Sequence, residues 1–363
     1  MPLLKTSMSG RGQMQTGFGL VEIMVGLVIG LLTTLVIMQV FTSFEGQKRT
    51  TSGSADAQTN GAVALYLISR DVQMAGYGLL PVLGTPMNCN PQPMIDHDND
   101  PGTDAIAISV APVFITDGGT SDLLSVVYGT SPTAGAPSTI NAITGSTLTL
   151  NNNLGCAVGD VALIYDGPLC AAARVTGPTD IANPPEASDP PDTTNVVLDT
   201  AGTITAAGLG AGASLACLGT WNRVTYQVNN GNLEVNGVPT IAGIVNMQVQ
   251  YGISNTASDN QVASWVNAED DWVAPTVADR NRIKAIRIAV IARNSLWERD
   301  VVSTACSSTT DPAPTGVCAW AGSDDNPAPT VDLSAQADWN HYRYRVFETI
   351  IPLRNTIWSR EQL

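Results

Sequence analysis

The residue types that most often carry chemistry are sparse in this chain, and its cysteines are the most informative of them. No two of the six form a C-x-x-C pair, and His97 and His341 lie far from any cysteine pair, so a zinc site is not favoured. All six follow an apolar N-terminal segment, and an even count there predicts up to three disulfides in an oxidising compartment. The candidates are Cys89, Cys156, Cys170, Cys217, Cys306 and Cys318. The nearest neighbours are Cys156 with Cys170 and Cys306 with Cys318, but spacing leaves the pairing open.

An acidic stretch, "IDHDNDPGTD", is the only candidate for a metal site. Asp96, Asp98 and Asp100 are spaced like the first ligands of a calcium loop. Gly102 comes one place late, however, and no glutamate stands at the twelfth position. A solvated turn is therefore the favoured interpretation, with weak calcium binding as the alternative.

The chain shows no sequence signature of an enzyme. There is no G-x-S-x-G, P-loop, dinucleotide-binding glycine pattern or H-E-x-x-H. We therefore expect neither catalysis nor a cofactor. The formal net charge of −15 also argues against nucleic-acid binding, because that affinity comes mostly from Lys and Arg on phosphates.

The apolar segment "GFGLVEIMVGLVIGLLTTLVIMQV" contains one charge, Glu22, between Phe18 and Val40. As a helix it would be about 36 Å long, enough to cross a hydrocarbon core of about 30 Å. A secretory signal and a simple signal anchor are the ordinary interpretations, with Lys5 and Arg11 as the basic start and a distant A-x-A at residues 55–57. Neither of them accounts for Glu22.

A basic leader ending in Gly17, then Phe18, then Glu22 at the fifth position of an apolar helix, resembles the class III signal of type IV prepilins. The resemblance implies cleavage between Gly17 and Phe18 by prepilin peptidase, N-methylation of Phe18, and retention of the helix in the inner membrane. It also implies that the C-terminal bulk lies outside the cytoplasm.

Physical chemistry gives Glu22 a role consistent with this resemblance. A carboxylate in the first turn of a helix is favoured by the helix dipole and the unpaired amides there. The N-terminal amine of a neighbouring subunit would neutralise it, gaining about 4 kcal/mol at about 4 Å before desolvation. Glu22 is thus predicted to be an assembly residue.

The rest of the chain is predicted to form one further helix, followed by many short strands. Apolar or small residues recur at helical spacing from Ser54 to Ala75, although "TTSGS" (residues 50–54) predicts a weak link before it. Beyond Pro81, short strands alternate with turns, "RVTYQVNNGNLEVNG" reads as a hairpin, and "RIKAIRIAVIAR" as a strand covered on both faces. Three stretches are predicted loops: residues 178–192, 200–214 and 303–330, the last with little core of its own.

"LYLISRDVQMAGYG", "VGDVALIYD", "VNMQVQYGI", "IKAIRIAVIAR" and "YRYRVFETIIPLRNTIW" are similar, in this order, to segments of PilW-type minor pilins. The implied fold is α+β: a long N-terminal helix packed on an antiparallel sheet. The expected domains are a leader (1–17), a membrane-spanning stalk (18–41), the second half of the helix (42–76) and a β-rich periplasmic domain (77–363).

The implied function is a minor pilin that primes pilus assembly at the tip. Its partners would be other minor pilins, the major pilin and an adhesin, with roles in adhesion and twitching motility. The alternatives are a J-like minor pseudopilin of type II secretion and a membrane-anchored secreted binding protein or enzyme.

Overall fold

The computed structural model describes residues 17, 19–79, 88–95, 106–108, 110–177, 193–199 and 207–357. Asp96, Asp98, Asp100 and the proline-rich loop 178–192 lie outside the described residues. The chain forms two compact units, Met1–Ser52 and Gly53–Leu363. It is mostly β, with an N-terminal apolar helix and antiparallel sheets, consistent with the expected α+β class.

A single helix, α1, spans Leu20–Met74 and does not break at the weak link predicted for residues 50–54. Ser52 and Gly53 have low helix propensity, but a residue or two of this kind costs only about 1 kcal/mol each within a long helix. In the first unit the apolar side chains of α1 are exposed. The hydroxyls of Thr33 and Thr34 donate to the carbonyls of Ile29 and Gly30 at 2.7 Å, so these polar groups are satisfied within the helix.

In the second unit α1 buries one face, as its periodicity predicted. Small or apolar residues recur every three or four positions along that face and join a core with the β-sheets. They are Gly53, Ala57, Gly61, Ala64, Ile68, Val72 and Ala75. Gly76, with φ of +74°, stops the helix, and its amide donates to the carbonyl of Val127 at 2.9 Å.

Seventeen strands, numbered here in chain order, and two further short helices follow α1 in the described residues. The strands are β1 (Met94–Ile95), β2 (Ile106–Ala107), β3 (Val113–Thr116), β4 (Leu123–Tyr128), β5 (Ser138–Thr144), β6 (Thr147–Leu150), β7 (Val161–Asp166), β8 (Leu169–Gly177), β9 (Asn195–Leu198), β10 (Ser214–Cys217), β11 (Asn222–Asn229), β12 (Asn232–Val235), β13 (Val238–Ala242), β14 (Ile244–Ile253), β15 (Ser264–Val266), β16 (Ile283–Arg293) and β17 (Tyr344–Pro352). The helices are α2 (Val277–Arg280) and α3 (Arg354–Ile357), and single 3-10 turns occupy Asp270–Trp272 and Trp339–His341.

The strands form two open sheets, a small barrel and a two-stranded ribbon, β1-β2. One open sheet has the order β13-β12-β11-β4-β3 and the other β15-β14-β16-β17. The hairpin predicted at residues 223–237 is present as β11 and β12, which turn at Asn230 and Gly231, both with positive φ. β16 is buried along almost its whole length, as its continuous apolar sequence predicted.

The loop predicted for residues 303–330 packs on a neighbouring sheet, and its apolar residues are buried there rather than in a core of their own. Its apolar residues and those just after it cover the face of the β16–β17 sheet that is opposite α1. Val317, Ala319, Trp320, Val331 and Leu333 are each less than a tenth exposed. This packing has no local sequence signal, because these residues have no periodicity of their own and are buried only by strands remote in sequence.

The barrel has the closed strand order β10-β5-β6-β9-β8-β7 and contains a separate apolar core. The expected disulfides are present, and two of them involve this barrel. Cys89 pairs with Cys170 on β8, and Cys156 pairs with Cys217 on β10, so the sequence neighbours Cys156 and Cys170 are not partners. Cys306 pairs with Cys318 inside the covering loop.

Candidate assembly site

The N-terminal residues singled out by the sequence lie at the start of α1. Gly17 is exposed, Phe18 lies outside the described residues, and Glu22 is exposed in the first turn, its amide donating to the carbonyl of Gly19 at 3.0 Å. Leu20–Glu45 is the one described helical stretch long and apolar enough to cross a membrane, and none of it is buried within the chain. Such a stretch fits a membrane anchor or a signal sequence.

Farther along α1, a glycine allows the helix to lie close against β17. A Cβ atom built at Gly61 would overlap the ring of Phe347, which packs on the helix from the sheet. Gly53 is similarly close to the side chain of Asn294, at the end of β16. Glycine is required at these two positions for the helix to approach the sheet this closely.

A buried carboxylate fastens the end of α1 to the five-stranded sheet. Asp71 is only 5% exposed, and one of its oxygens accepts a hydrogen bond from the Tyr226 hydroxyl at 2.7 Å. Its other oxygen accepts from the Arg70 guanidinium at 2.9 Å. Burial, and next the hydrogen bond to Asp71, raise the pKa of Tyr226, so its hydroxyl stays protonated and donating. Arg70 and Asp71 are the "RD" of the segment "LYLISRDVQMAGYG". These two residues therefore have a structural function at the end of α1.

The C-terminal segment caps the same helix end. The Asn355 side chain, on α3, donates to the carbonyls of Gln73, Met74 and Ala75 at 3.1–3.3 Å. These carbonyls belong to the last turn of α1 and the residue after it, and the last four carbonyls of a helix have no partner within the helix. No local pattern in the sequence predicted this role for Asn355. The residue lies in "FETIIPLRNTIW", whose resemblance to a family segment was the only feature that pointed to this region.

A second buried carboxylate joins the two open sheets. Asp122, at the tip of the β3–β4 hairpin, accepts a hydrogen bond from the amide of Val249 on β14 at 2.7 Å, and its own amide donates to Met247. β14 has no neighbouring strand on this side at these residues, so the hairpin replaces one. Burial raises the pKa of Asp122 to about 7, and Asp117 and Glu269 add to the rise. Sequence reasoning missed this residue because its partner lies far along the chain.

Among the described residues, no group of three or more His, Cys, Asp or Glu side chains is placed to hold a metal ion. His341 stacks on Trp297 at 5.3 Å between ring centroids, and its Nδ1 lies 2.8 Å from the carbonyl of Glu298. The buried carboxylates Asp71 and Asp122 instead take part in helix–sheet and sheet–sheet contacts.

With this geometry established, one comparison with known proteins bears on function. Residues 214–355 match the family model of PilW, the type IV pilus-assembly protein W. The match begins at β10 and ends within α3, so it takes in both partners of the β14–β16 and β16–β17 pairs and also Asn355. Searches of the curated proteins and of the solved structures give no significant match.

The match confirms the predicted resemblance to PilW-type proteins over those residues and supports involvement in type IV pilus assembly. It covers less than half of the chain. α1, with Gly17 and Glu22, and nearly all of the barrel lie outside it, so the prepilin leader stays a prediction.

Proposed function

We propose that this chain is a minor pilin, a non-enzymatic subunit that primes type IV pilus assembly and sits at or near the pilus tip. The observation that carries the proposal is the PilW match over residues 214–355. In the same chain it is preceded by an apolar segment, residues 17–40, whose one carboxylate is Glu22. Resemblance to a family of pilus-assembly proteins and an apolar anchor of this composition are the two features expected of such a subunit.

In this proposal prepilin peptidase removes residues 1–17, cutting after Gly17, and Phe18 becomes the N-methylated first residue. α1 then holds the subunit in the inner membrane, with the globular unit in the periplasm, until assembly moves it into the pilus. Glu22 compensates the N-terminal amine of a neighbour, because a charge in an apolar bundle is stabilised by an opposite charge close to it.

The partners proposed on this basis are other minor pilins, the major pilin and a tip adhesin. The subunit would support adhesion and twitching motility by helping pili to form. No step in this role needs a bond made or broken by the chain itself.

The test is mass spectrometry of the mature N-terminal peptide, with the full chain expressed in a piliated host. We expect a peptide that begins at N-methylated Phe18, and we expect Gly17→Val to leave the leader attached. A chain that begins at Met1, or just after Ala57, would exclude a pilin and leave a signal anchor or a secreted domain.

Deletion of the gene separates the pilus role from its nearest alternative, a J-like minor pseudopilin of type II secretion. We expect loss of surface pili with normal secretion of exported enzymes. Normal piliation with lost secretion would assign the chain to the secretion system.

A further inference from the structure

The free edge of the four-stranded sheet is formed by β17, and its register shows which backbone groups are unused. At one end of β17 the Asn294 amide donates to the Arg343 carbonyl at 2.8 Å, and at the other the Leu353 amide donates to the Lys284 carbonyl at 2.8 Å. The register between these two pairs is unbroken, so every second residue of β17 bonds to β16.

The alternate residues direct their amides and carbonyls away from the sheet, and we call these four the outer ladder. They are Tyr344, Val346, Glu348 and Ile350. Within the described part of the chain, none of their backbone groups has a hydrogen-bond partner on that side. Pro352, the next residue in the alternation, has no N–H and ends the outer ladder.

The other edges of the two open sheets are protected, which sets β17 apart. β13 carries Pro239 and faces a register shift in β12. On β3 the Ile115 amide donates to the Tyr251 hydroxyl at 2.6 Å, and on β15 the Trp265 amide donates to the Asn326 side chain at 2.9 Å. Folded proteins usually protect edges in such ways, because an open edge recruits another strand. β17 is longer than these three strands, and among the described residues its outer backbone groups from Tyr344 to Ile350 have neither a proline nor a hydrogen-bond partner.

The side chains along β17 specify the chemistry of a strand that would pair with it. Arg345 lies on the face that carries α1 and is exposed, and among the polar atoms of the described residues it contacts only the Ser54 hydroxyl, at 3.4 Å. Ile350 lies on the opposite face and is 52% exposed. A matching strand therefore offers a carboxylate opposite Arg345 and an apolar residue beside Ile350, since opposite charges and apolar pairs across strands are favourable.

The β17 strand of a second copy of this chain, paired antiparallel, does not meet that requirement. Two antiparallel β17 strands joined through their outer ladders would place Arg345 opposite another odd-numbered residue of β17. Those residues are Arg345, Phe347, Thr349 and Ile351, and none has a carboxylate. One such register would also bring two Glu348 side chains together, which like charges disfavour.

We propose that β17 binds an extended, acidic and partly apolar segment of another pilus component, which adds a fifth strand to this sheet through the outer ladder. The identity of the partner as a pilus component rests on the function proposed above. Backbone hydrogen bonds would supply affinity, while Arg345 and Ile350 would select the segment.

The test places a photo-crosslinking amino acid at Ile350 of the full chain in piliated cells, with Val238 on the protected edge β13 as the matched control position. We expect Ile350 to crosslink to one component required for pili, within a segment that contains a carboxylate, and Val238 not to do so. A crosslink only to a second copy, only to residues 358–363 of the same chain, or at both positions equally would overturn the proposal.

Two substitutions then test the mode of binding. Ile350→Pro removes one outer amide without removing a bond to β16, and Arg345→Glu reverses the selecting charge. For this experiment the crosslinking amino acid is moved from Ile350 to Glu348. We expect each substitution to lower crosslinking at least tenfold with unchanged thermal unfolding, and we expect Thr240→Pro on β13 to have no effect. A folded Arg345→Glu variant that crosslinks normally would contradict the proposal even if Ile350→Pro misfolds.

The outcomes distinguish this proposal from the pilus function itself. A mature N-terminus at Phe18 and pili lost on deletion, without a crosslink from Ile350, would reject edge pairing and leave the minor pilin role intact. A specific strand-mediated crosslink in a chain that begins at Met1 would leave the edge pairing and reject the pilin.

Discussion

The two halves of α1 bury apolar surface in opposite ways, although they belong to one continuous helix. Residues Leu20–Glu45 are mostly apolar and no part of this stretch is buried in the chain, whereas residues 53–74 have one stripe of small and apolar side chains against the sheets. A helix that is apolar all round needs a surrounding apolar medium, while a helix with one apolar stripe needs only a partner surface. The first half therefore depends on something outside the chain, and the second half on the chain's own fold.

The largest expected effect concerns Glu22, the carboxylate in the first turn of the first half. Glu22→Ala should abolish or reduce surface pili by at least about tenfold, because a neighbour's amine would lose about 4 kcal/mol of attraction before desolvation. Surface pili are counted by electron microscopy or shear fractionation.

The matched control for Glu22→Ala is Gln39→Ala, a polar residue farther along the same half. We expect it to assemble normally. Normal pili in the Glu22→Ala strain, with the variant present at wild-type level, would remove the assembly role of Glu22.

The next effect tests the stripe of the second half. Gly61→Leu should lower the free energy of unfolding by about 3 kcal/mol, because the new side chain overlaps Phe347 and overpacking costs about 1–3 kcal/mol or more. The measurement is denaturant unfolding of the full chain in detergent.

Ala62→Leu changes the adjacent, exposed position and should alter the free energy of unfolding by less than about 0.5 kcal/mol. Adding Phe347→Ala to Gly61→Leu should recover part of the loss. Equal effects at residues 61 and 62 would mean that the helix does not pack on this stripe.

A pH dependence should belong to the globular unit. The pKa of Asp122 is raised from 3.8 to about 7. Between these two pH values the folded state therefore keeps a proton that the unfolded state has released. The free energy of unfolding should therefore be highest near pH 4 and fall progressively as the pH rises toward 7, because the folded state then loses its extra proton.

Asp122→Asn should flatten this pH profile while keeping an acceptor for the Val249 amide. Asp117→Asn, at an exposed position nearby, should keep most of the slope. A wild-type profile that is flat, or that rises with pH, would contradict the assignment to Asp122.

The smallest effects separate the two hydrogen-bond partners of Asp71, near the end of the second half. Tyr226→Phe should cost about 1 kcal/mol of unfolding free energy, because it leaves one oxygen of the buried Asp71 without its partner. Arg70→Ala should cost less than Tyr226→Phe, because the Arg70 side chain is exposed and its ion pair is screened by solvent. A larger loss from Arg70→Ala than from Tyr226→Phe would show that the ion pair is the dominant contact.

The sequence by itself determined the elements whose signals are local. The apolar run with Glu22, the stripe from Gly61 to Ala75 and the β11–β12 hairpin were each predicted from neighbouring residues, because helical spacing and turn chemistry act over a few positions. The continuous apolar sequence of β16 likewise predicted its burial on both faces. The resemblance to PilW-type proteins rested on such segments as well.

Only the tertiary structure decided which distant residues meet. Cys89 pairs with Cys170 across 81 positions, Asp122 binds β14, the loop around Cys306 covers the back of β16 and β17, and six short strands close into a barrel. Each of these contacts joins residues that are far apart in the sequence and therefore closes a long loop. Local propensity does not encode which distant residues meet. The open edge of β17 also emerges only there, because a strand is an edge only once all its neighbours are placed.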